Sequence, residues 1–308
     1  MKGSRSLPVR SRHRLSFTAP LPAAARLPAD MASLTAAERL QLLARSWTTV
    51  AEGYRSNFVH RFAPWTQDTL RAFVQAGASL PGGTIAVPAC GPGQELPLLA
   101  AAFPCHRIVG VDLSEGMAAL ARQLVQQQGL QGQVEVRVGD ASRLDKLAPL
   151  AGVVSVFGLQ QMPQPAAVLA NWTQALAPGG VLCVCFWPQV VEERGPWQLL
   201  TALTASFRPQ TEWEQGIPGD ALREGAQLLQ DERISHDMEW PSVSSFWDGM
   251  TRAGPWHSRR LAFGDEHMEE LRQKFMQQPE YSNSDAPVQH TATARLVCLR
   301  RTQAQAAL

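Results

Sequence analysis

Ile85-Ala-Val-Pro-Ala-Cys-Gly-Pro-Gly93, followed by Val109-Gly-Val-Asp-Leu-Ser114, is the stretch whose reading decides the fold. The first half is a strand rich in β-branched residues, Thr84 to Val87, that runs into a turn. There Gly91 and Gly93 can take backbone angles closed to other residues and let a ligand approach the main chain. A helix is predicted to begin near Gln94, its free N–H groups suited to an anionic or carboxylate-bearing ligand. The next strand, Arg107 to Val111, ends at Asp112, 19 positions beyond Gly93, where a carboxylate can accept hydrogen bonds from ribose hydroxyls. Strand, glycine turn, helix, strand and acid together predict a pocket for a ribonucleoside.

A dinucleotide site needs a third glycine to let the helix pack closely and a pyrophosphate sit at the turn, and Leu96 stands in that position. Two further segments point elsewhere: Val138-Gly-Asp-Ala141 after a third strand, and Leu176-Ala-Pro-Gly-Gly180 before the apolar run Val181 to Trp187. Each segment alone is an ordinary turn or helix cap. In this order, over roughly Trp47 to Trp187, they resemble the class I S-adenosylmethionine-dependent methyltransferases, most nearly the small-molecule branch with the ubiquinone and menaquinone biosynthesis enzymes.

The resemblance implies S-adenosylmethionine as cofactor and gives the residues roles. Gly91 and Gly93 would wrap its methionine end, Asp112 would hold the ribose, Asp140 with Ala141 would meet the adenine amine, and Met117 would flank the adenine. Cys90, Gln94, Leu113 and Phe157 complete the expected cofactor contacts, Cys90 as a small packing residue. Relatives usually carry an acid and a glycine where this chain has Val87 and Ala89; Gln94 or Glu95 could substitute for the acid, although Glu95 reads equally as a surface residue at a helix start. The N-terminal segment of such proteins crosses the pocket and supplies an aromatic hydroxyl, which makes Tyr54 the candidate; an anchoring core tyrosine is the other reading.

The fold class expected is α/β: a Rossmann-like, seven-stranded, mostly parallel sheet with an antiparallel last strand, helices on both faces, and a helical, aromatic cap. Residues 1–30 read as a disordered leader, 31–80 as an N-terminal helical lid, 81–207 as the cofactor-binding core, 208–290 as a cap or insertion, and 291–308 as the last strand and tail. Thr35 with Glu38 signals a helix start, after which Leu40, Leu43 and Trp47 share a face. Tyr54 to Phe62 and Thr66 to Phe73 follow as further amphipathic patterns around Pro64. Between Arg208 and Pro241 the periodicity weakens, which suggests cap instead of core; Asp265 to Gln277 is a clear helix and Ala292 to Arg300 alternates as a strand.

Composition narrows the partners. In 308 residues, 45% hydrophobic, there is material for a sizeable core, and a formal charge of +1 gives no broad basic face for nucleic acid. No apolar run approaches the ~20 residues that span a bilayer. Five irregularly spaced cysteines argue against a disulfide framework, with Cys183 and Cys185 read as core filling. Met1 to Ala29 carries six basic residues and no acid, like a mitochondrial transit peptide, but Pro8, Pro20, Pro22 and Pro28 interrupt it and Met31 could be an alternative start. Cytoplasmic location is the expectation, the mitochondrial matrix the alternative.

Methyl transfer from a sulfonium is an in-line displacement, so alignment and exclusion of water matter more than dedicated catalytic groups. Phe157-Gly-Leu-Gln-Gln161 offers no strong base after the fourth strand; Gln160 and Gln161 could orient an acceptor. Tyr54, His60, His236 and His257 are the candidates for a base reaching in from elsewhere, and no metal-ligand spacing occurs. Trp187, Trp197, Trp213, Trp240, Phe246, Trp247 and Trp256 either line an apolar acceptor pocket or build the cap's own core. The function expected is methyl transfer to a small apolar or aromatic acceptor, of unknown oligomeric state. The alternatives are a mitochondrial protein-directed methyltransferase or assembly factor, and a cofactor-binding scaffold that has lost turnover.

Overall fold

The computed structural model describes residues 35–204 and 213–302. The leader expected over 1–30 lies outside them. Thr35 opens α1, Ala36–Asn57, with a capping box: its hydroxyl accepts from the Glu38 amide at 3.2 Å, and the Glu38 carboxylate accepts from the Thr35 amide at 2.7 Å. α2, Val59–Ala76, follows and ends at Gly77. Pro64 lies inside α2, where the loss of one backbone donor is offset by a buried stripe of Phe62, Trp65, Leu70 and Phe73. The patterns that the sequence separates around Pro64 are therefore two continuous long helices.

The alternating core comes next: β1, Thr84–Pro88; α3, Glu95–Ala102; β2, Arg107–Asp112; α4, Glu115–Gln127; β3, Val134–Val138; β4, Leu150–Val156; α5, Pro165–Ala175; and β5, Leu176–Phe186. After it come α6, Pro196–Leu203; α7, Gly219–Arg223; β6, Ala226–Trp240; α8, Val243–Arg252; α9, His257–Met276, broken at Gly264 (φ 84°); and β7, Val288–Arg301. The seven strands lie in the order β3-β2-β1-β4-β5-β7-β6. β1 to β5 are parallel, β7 runs antiparallel to β5, and β6 antiparallel to β7. Strand order reverses between β1 and β4, and open α/β sheets bind ligands outside the carboxyl ends of the strands at that point.

The sheet separates two cores by the two-residue period of its strands. Along β5, Val181, Cys183 and Cys185 join Phe62, Trp65, Phe73 and Phe246 on one face, and Leu182, Val184 and Phe186 join Leu169 and Trp172 on the other. Trp187, Trp197, Trp240, Trp247 and Trp256 belong to the first core, so these rings build the structure and do not line an open acceptor pocket.

Two expectations are corrected. The stretch from Arg208 to Pro241 contains a 15-residue sheet strand, β6, which runs in the direction of β1 to β5, so that β7, the last strand, is the one reversed strand of the sheet, as expected. At the sheet edge most of β6 is solvated and only Met238 and Trp240 are buried, so no alternation of apolar residues marks it. Its pairing is reinforced by Arg295 of β7, which donates to both carboxylate oxygens of Asp231 at 2.8 Å each. Cys183, expected as core filling, is joined to Cys298 as a disulfide: the two are direct cross-strand partners on β5 and β7, with Cα atoms 4.3 Å apart, a proximity that 115 residues of separation conceal in the sequence.

Candidate active site

The carboxyl ends of β1, β2 and β4 meet beneath α1. After β1, Ala89 (φ 52°) and Gly91 (φ 53°) turn the chain through the left-handed region, which glycine adopts without strain and alanine does not. The Gly91 amide donates to Asp112 Oδ2 at 2.8 Å, tying the glycine turn to the end of β2, while Asp112 Oδ1 accepts from the Ser114 amide at 2.9 Å. Asp112 is only 8% exposed, and burial raises its carboxyl above the ordinary value despite these hydrogen bonds. A carboxylate has about four lone-pair positions, so Asp112 keeps acceptor capacity toward the cleft.

Each neighbouring turn has its own support. Asp140 Oδ1 accepts from the Ser142 amide at 2.9 Å, and the next carbonyl, of Ala141, accepts from the indole N–H of buried Trp172 at 2.8 Å. Phe157 (φ 57°) stacks on Trp187 with ring centroids 4.0 Å apart. At Gly158 a Cβ would stand 2.6 Å from that of Ala89, so only glycine lets the β1 and β4 turns pass this closely. Across them lies α1. Gly116 of α4 admits it, for a Cβ there would stand 2.8 Å from the Thr48 carbonyl oxygen, and the Thr48 and Ser114 hydroxyls bond at 3.0 Å.

These elements enclose a cleft of about 790 Å³, its open mouth included. Of the expected cofactor residues, Cys90, Gly91, Gln94, Asp112, Leu113, Met117, Asp140, Ala141 and Phe157 line it. Gly93 does not: its α-carbon packs where a Cβ would meet Ala121 at 2.9 Å, so this glycine serves the approach of α4. Tyr54 and Gln161 also line the cleft, whereas Gln160 turns back to donate to the Phe157 carbonyl at 2.6 Å. The histidines weighed as bases stand elsewhere. His236 pairs with Asp68 at 2.7 Å, His257 with the Ser46 hydroxyl at 3.2 Å, and His60 is exposed.

Sequence reasoning missed part of the wall. Leu40, Leu43 and Trp47 descend into the cleft from α1 beside Tyr54, visible as helical spacing but not assignable to the site; Met162 and Pro163 gave no signal at all. Glu95, which the sequence leaves between a substitute for the missing acid and a surface residue, is not on the surface. It is 2% exposed, accepts from the Gln94 side-chain amide at 2.8 Å, and leaves its Oε2 buried without a hydrogen-bond partner, as Gln94 leaves its Oε1.

Electrostatics restrict the chemistry. Burial, helped by the nearby charges of Glu95 and Asp112, pushes the Tyr54 hydroxyl well up, so it stays protonated and can donate but not act as a base. The Cys90 thiol is pushed up by the same causes and is not a nucleophile. Burial lifts Glu95 to about 7. Among the described residues no Lys, Arg or His lines the cleft.

Residues 85–180 match the family model of a methyltransferase domain. That is the segment from β1 to the turn within β5, with every expected cofactor residue inside it. This segment is a methyltransferase domain. A trans-aconitate 2-methyltransferase of Streptomyces coelicolor is 35% identical over 191 residues, 61% of this chain and 59% of that protein. A phosphatidylethanolamine N-methyltransferase of Cereibacter sphaeroides is 28% identical over 135 residues, 43% of this chain and 63% of that protein. The chain thus spans less than two thirds of either curated relative. Among solved structures, the magnesium protoporphyrin IX methyltransferase of Synechocystis with bound S-adenosylmethionine shares the fold at a TM-score of 0.51 and 15% identity, over 85% of this chain and 97% of that one. The cofactor of the class is S-adenosylmethionine, and the cleft residues fit it. A nucleoside needs acceptors for its hydroxyls, and Asp112, in the lining, offers them.

Proposed function

We propose that the chain is an S-adenosylmethionine-dependent methyltransferase acting on a small, apolar or aromatic acceptor. The observation that carries this reading is the junction of Gly91, Asp112 and Asp140 in one cleft under α1, inside a segment that matches the methyltransferase domain. When bound, the cofactor supplies a methyl group on a positively charged sulfur, which a nucleophile takes in line without an enzyme-bound intermediate. The chain's own part is alignment and dryness. Leu40, Leu43 and Trp47 exclude water, Tyr54 donates a hydrogen bond, and Gln161 offers an amide to orient the acceptor.

The acceptor follows from what the cleft lacks among the described residues. A polycarboxylate such as trans-aconitate needs cationic partners when removed from water, and the lining has none. A neutral amine needs neither such a partner nor a strong base, and an ionised thiol or an enolate, with one charge where trans-aconitate has three, needs no base. These acceptors suit the small-molecule branch to which the sequence motifs point. Untargeted metabolite profiling of cells lacking the protein, searched for pairs differing by one methylene, identifies the acceptor; a new tricarboxylate pair would overturn this preference.

Calorimetric titration with S-adenosylmethionine tests the cofactor assignment. Asp112→Ala is expected to weaken binding by about 1.5–3 kcal/mol, the range for a hydrogen bond to a charged group. An unchanged affinity refutes the ribose role. A second reading, a binding scaffold without turnover, has a specific motive in the Val87 and Ala89 departures. Binding of the cofactor with no methylated product in cell extracts of any growth condition favours it.

A further inference from the structure

We propose that the buried carboxylate of Glu95, assisted by the side-chain oxygen of Gln94, is the receptor for the ammonium group at the methionine end of the cofactor. This rests on the reading of the cleft as a cofactor site, and goes beyond it by assigning a contact to a residue outside the visible lining.

The argument begins with the inventory of acceptors around the glycine turn. β1 ends in Val87-Pro88 and is followed by Ala89, with no ionisable side chain. The charged acceptors near the turn are Asp112 and Glu95. Asp112 already accepts the Gly91 and Ser114 amides. Glu95, the first residue of α3, is stabilised by its own backbone amide and by the Gln94 side-chain amide, which donates to Oε1 at 2.8 Å, but its Oε2 has no partner although the residue is 2% exposed. The Gln94 Oε1 beside it is likewise buried and unpartnered, and Gln94 lines the cleft. Two orphaned acceptors, one of them ionisable, therefore stand together at the edge of the cleft.

A buried carboxylate without a counter-charge is costly, and a fold that keeps one needs a compensating partner. No Lys, Arg or His pairs with Glu95 among the described residues; the groups that feel its charge are the Tyr54 hydroxyl and the Cys90 thiol, both in the cleft wall and both neutral. Only donors satisfy these oxygens. An ammonium brings three donors and the opposite charge, and it is the cationic end group of an S-adenosyl amino acid. A structural role for Glu95 would instead predict a salt bridge or a full set of hydrogen bonds within the protein.

The test compares two ligands that differ in the amino-acid end. S-adenosylhomocysteine has the ammonium; 5′-methylthioadenosine keeps the nucleoside and the thioether and lacks it. Calorimetry at about pH 8, where the Glu95 carboxyl is ionised, is run on the intact protein and on Glu95→Gln, with methylthioadenosine measured by displacement of a fluorescent nucleoside where its heat is small. Glu95→Gln is expected to weaken S-adenosylhomocysteine by about tenfold or more and methylthioadenosine by less than about twofold, as loss of one charge-assisted hydrogen bond requires. The same variant is expected to melt at or above the temperature of the parent, because it removes an unpaired buried acid. Equal weakening of both ligands, or no weakening of S-adenosylhomocysteine, overturns the assignment. If Glu95→Gln unfolds, Glu95→Asp, which keeps the charge and withdraws it by one methylene, must show the same ligand discrimination or the assignment fails. Failure of the intact protein to bind either ligand overturns the cofactor site itself, a distinct result from selective indifference to Glu95.

Discussion

At the scale of the residue, Glu95 couples stability to pH. Burial raises its titration from the ordinary 4.5 to about 7. Between those values the folded chain holds a proton that the unfolded chain has released, so folded stability falls as pH rises through this window and levels off above it. A shift of this size corresponds to about 3 kcal/mol at 1.36 kcal/mol per unit. Urea denaturation of the protein without ligand from about pH 5 to about pH 8 should show that decline. Glu95→Gln should flatten it, and an equal slope in both would assign the effect to another group. The meeting of Gly91, Asp112 and Asp140 in one cleft was legible in the sequence, for Gly91 and Asp112 because a turn glycine and a strand-end acid leave a spacing that local geometry dictates, and for Asp140 through the family resemblance. The burial of Glu95 was not legible: an acid at the first turn of a helix satisfies the helix dipole equally well on a surface, and only tertiary packing decides.

At the scale of the element, α1 is the part of the cleft wall that the sheet does not supply. It seats on α4 through Gly116, whose absent side chain leaves room for the Thr48 carbonyl. Gly116→Ala would drive a methyl to within 2.8 Å of that oxygen, so α1 must shift outward, carrying Trp47 and Tyr54 with it. The expected cost is about 1–3 kcal/mol in stability, as for other overpacked contacts. Chemical denaturation and cofactor titration measure it; unchanged stability with unchanged affinity would show that α1 is not held there by close contact. The helices α1 and α4 and the parallel strands were readable because their apolar residues recur at the period of their own geometry. β6 was not readable because an edge strand has solvent along most of its length, and its charged residues, Asp231, Glu232 and Arg233, are stabilised by a neighbouring strand the sequence cannot place beside it. The disulfide was hidden for the same reason, since its partners meet only through the β5–β7 register.

At the scale of the whole molecule, one sheet divides two apolar cores and reverses its strand order between β1 and β4, which leaves a crevice where the glycine turn and the acids converge. Trp187, Trp197, Trp240, Trp247 and Trp256 fill the larger core, so the cleft is walled by α1 and the loops after β4 and not by an aromatic cage from the C-terminal half. No helix of the described residues is long and apolar enough to cross a membrane. The central claim is that a sulfur-bearing nucleoside occupies this crevice. A crystal structure of the protein with S-adenosylhomocysteine tests it most directly: the ribose hydroxyls should lie on the Asp112 carboxylate, with the adenine beside Asp140 and Met117 and the amino-acid end at the turn of Gly91 and Gln94. Nucleoside density at any other surface, with this crevice closed by the protein's own side chains, would contradict the account.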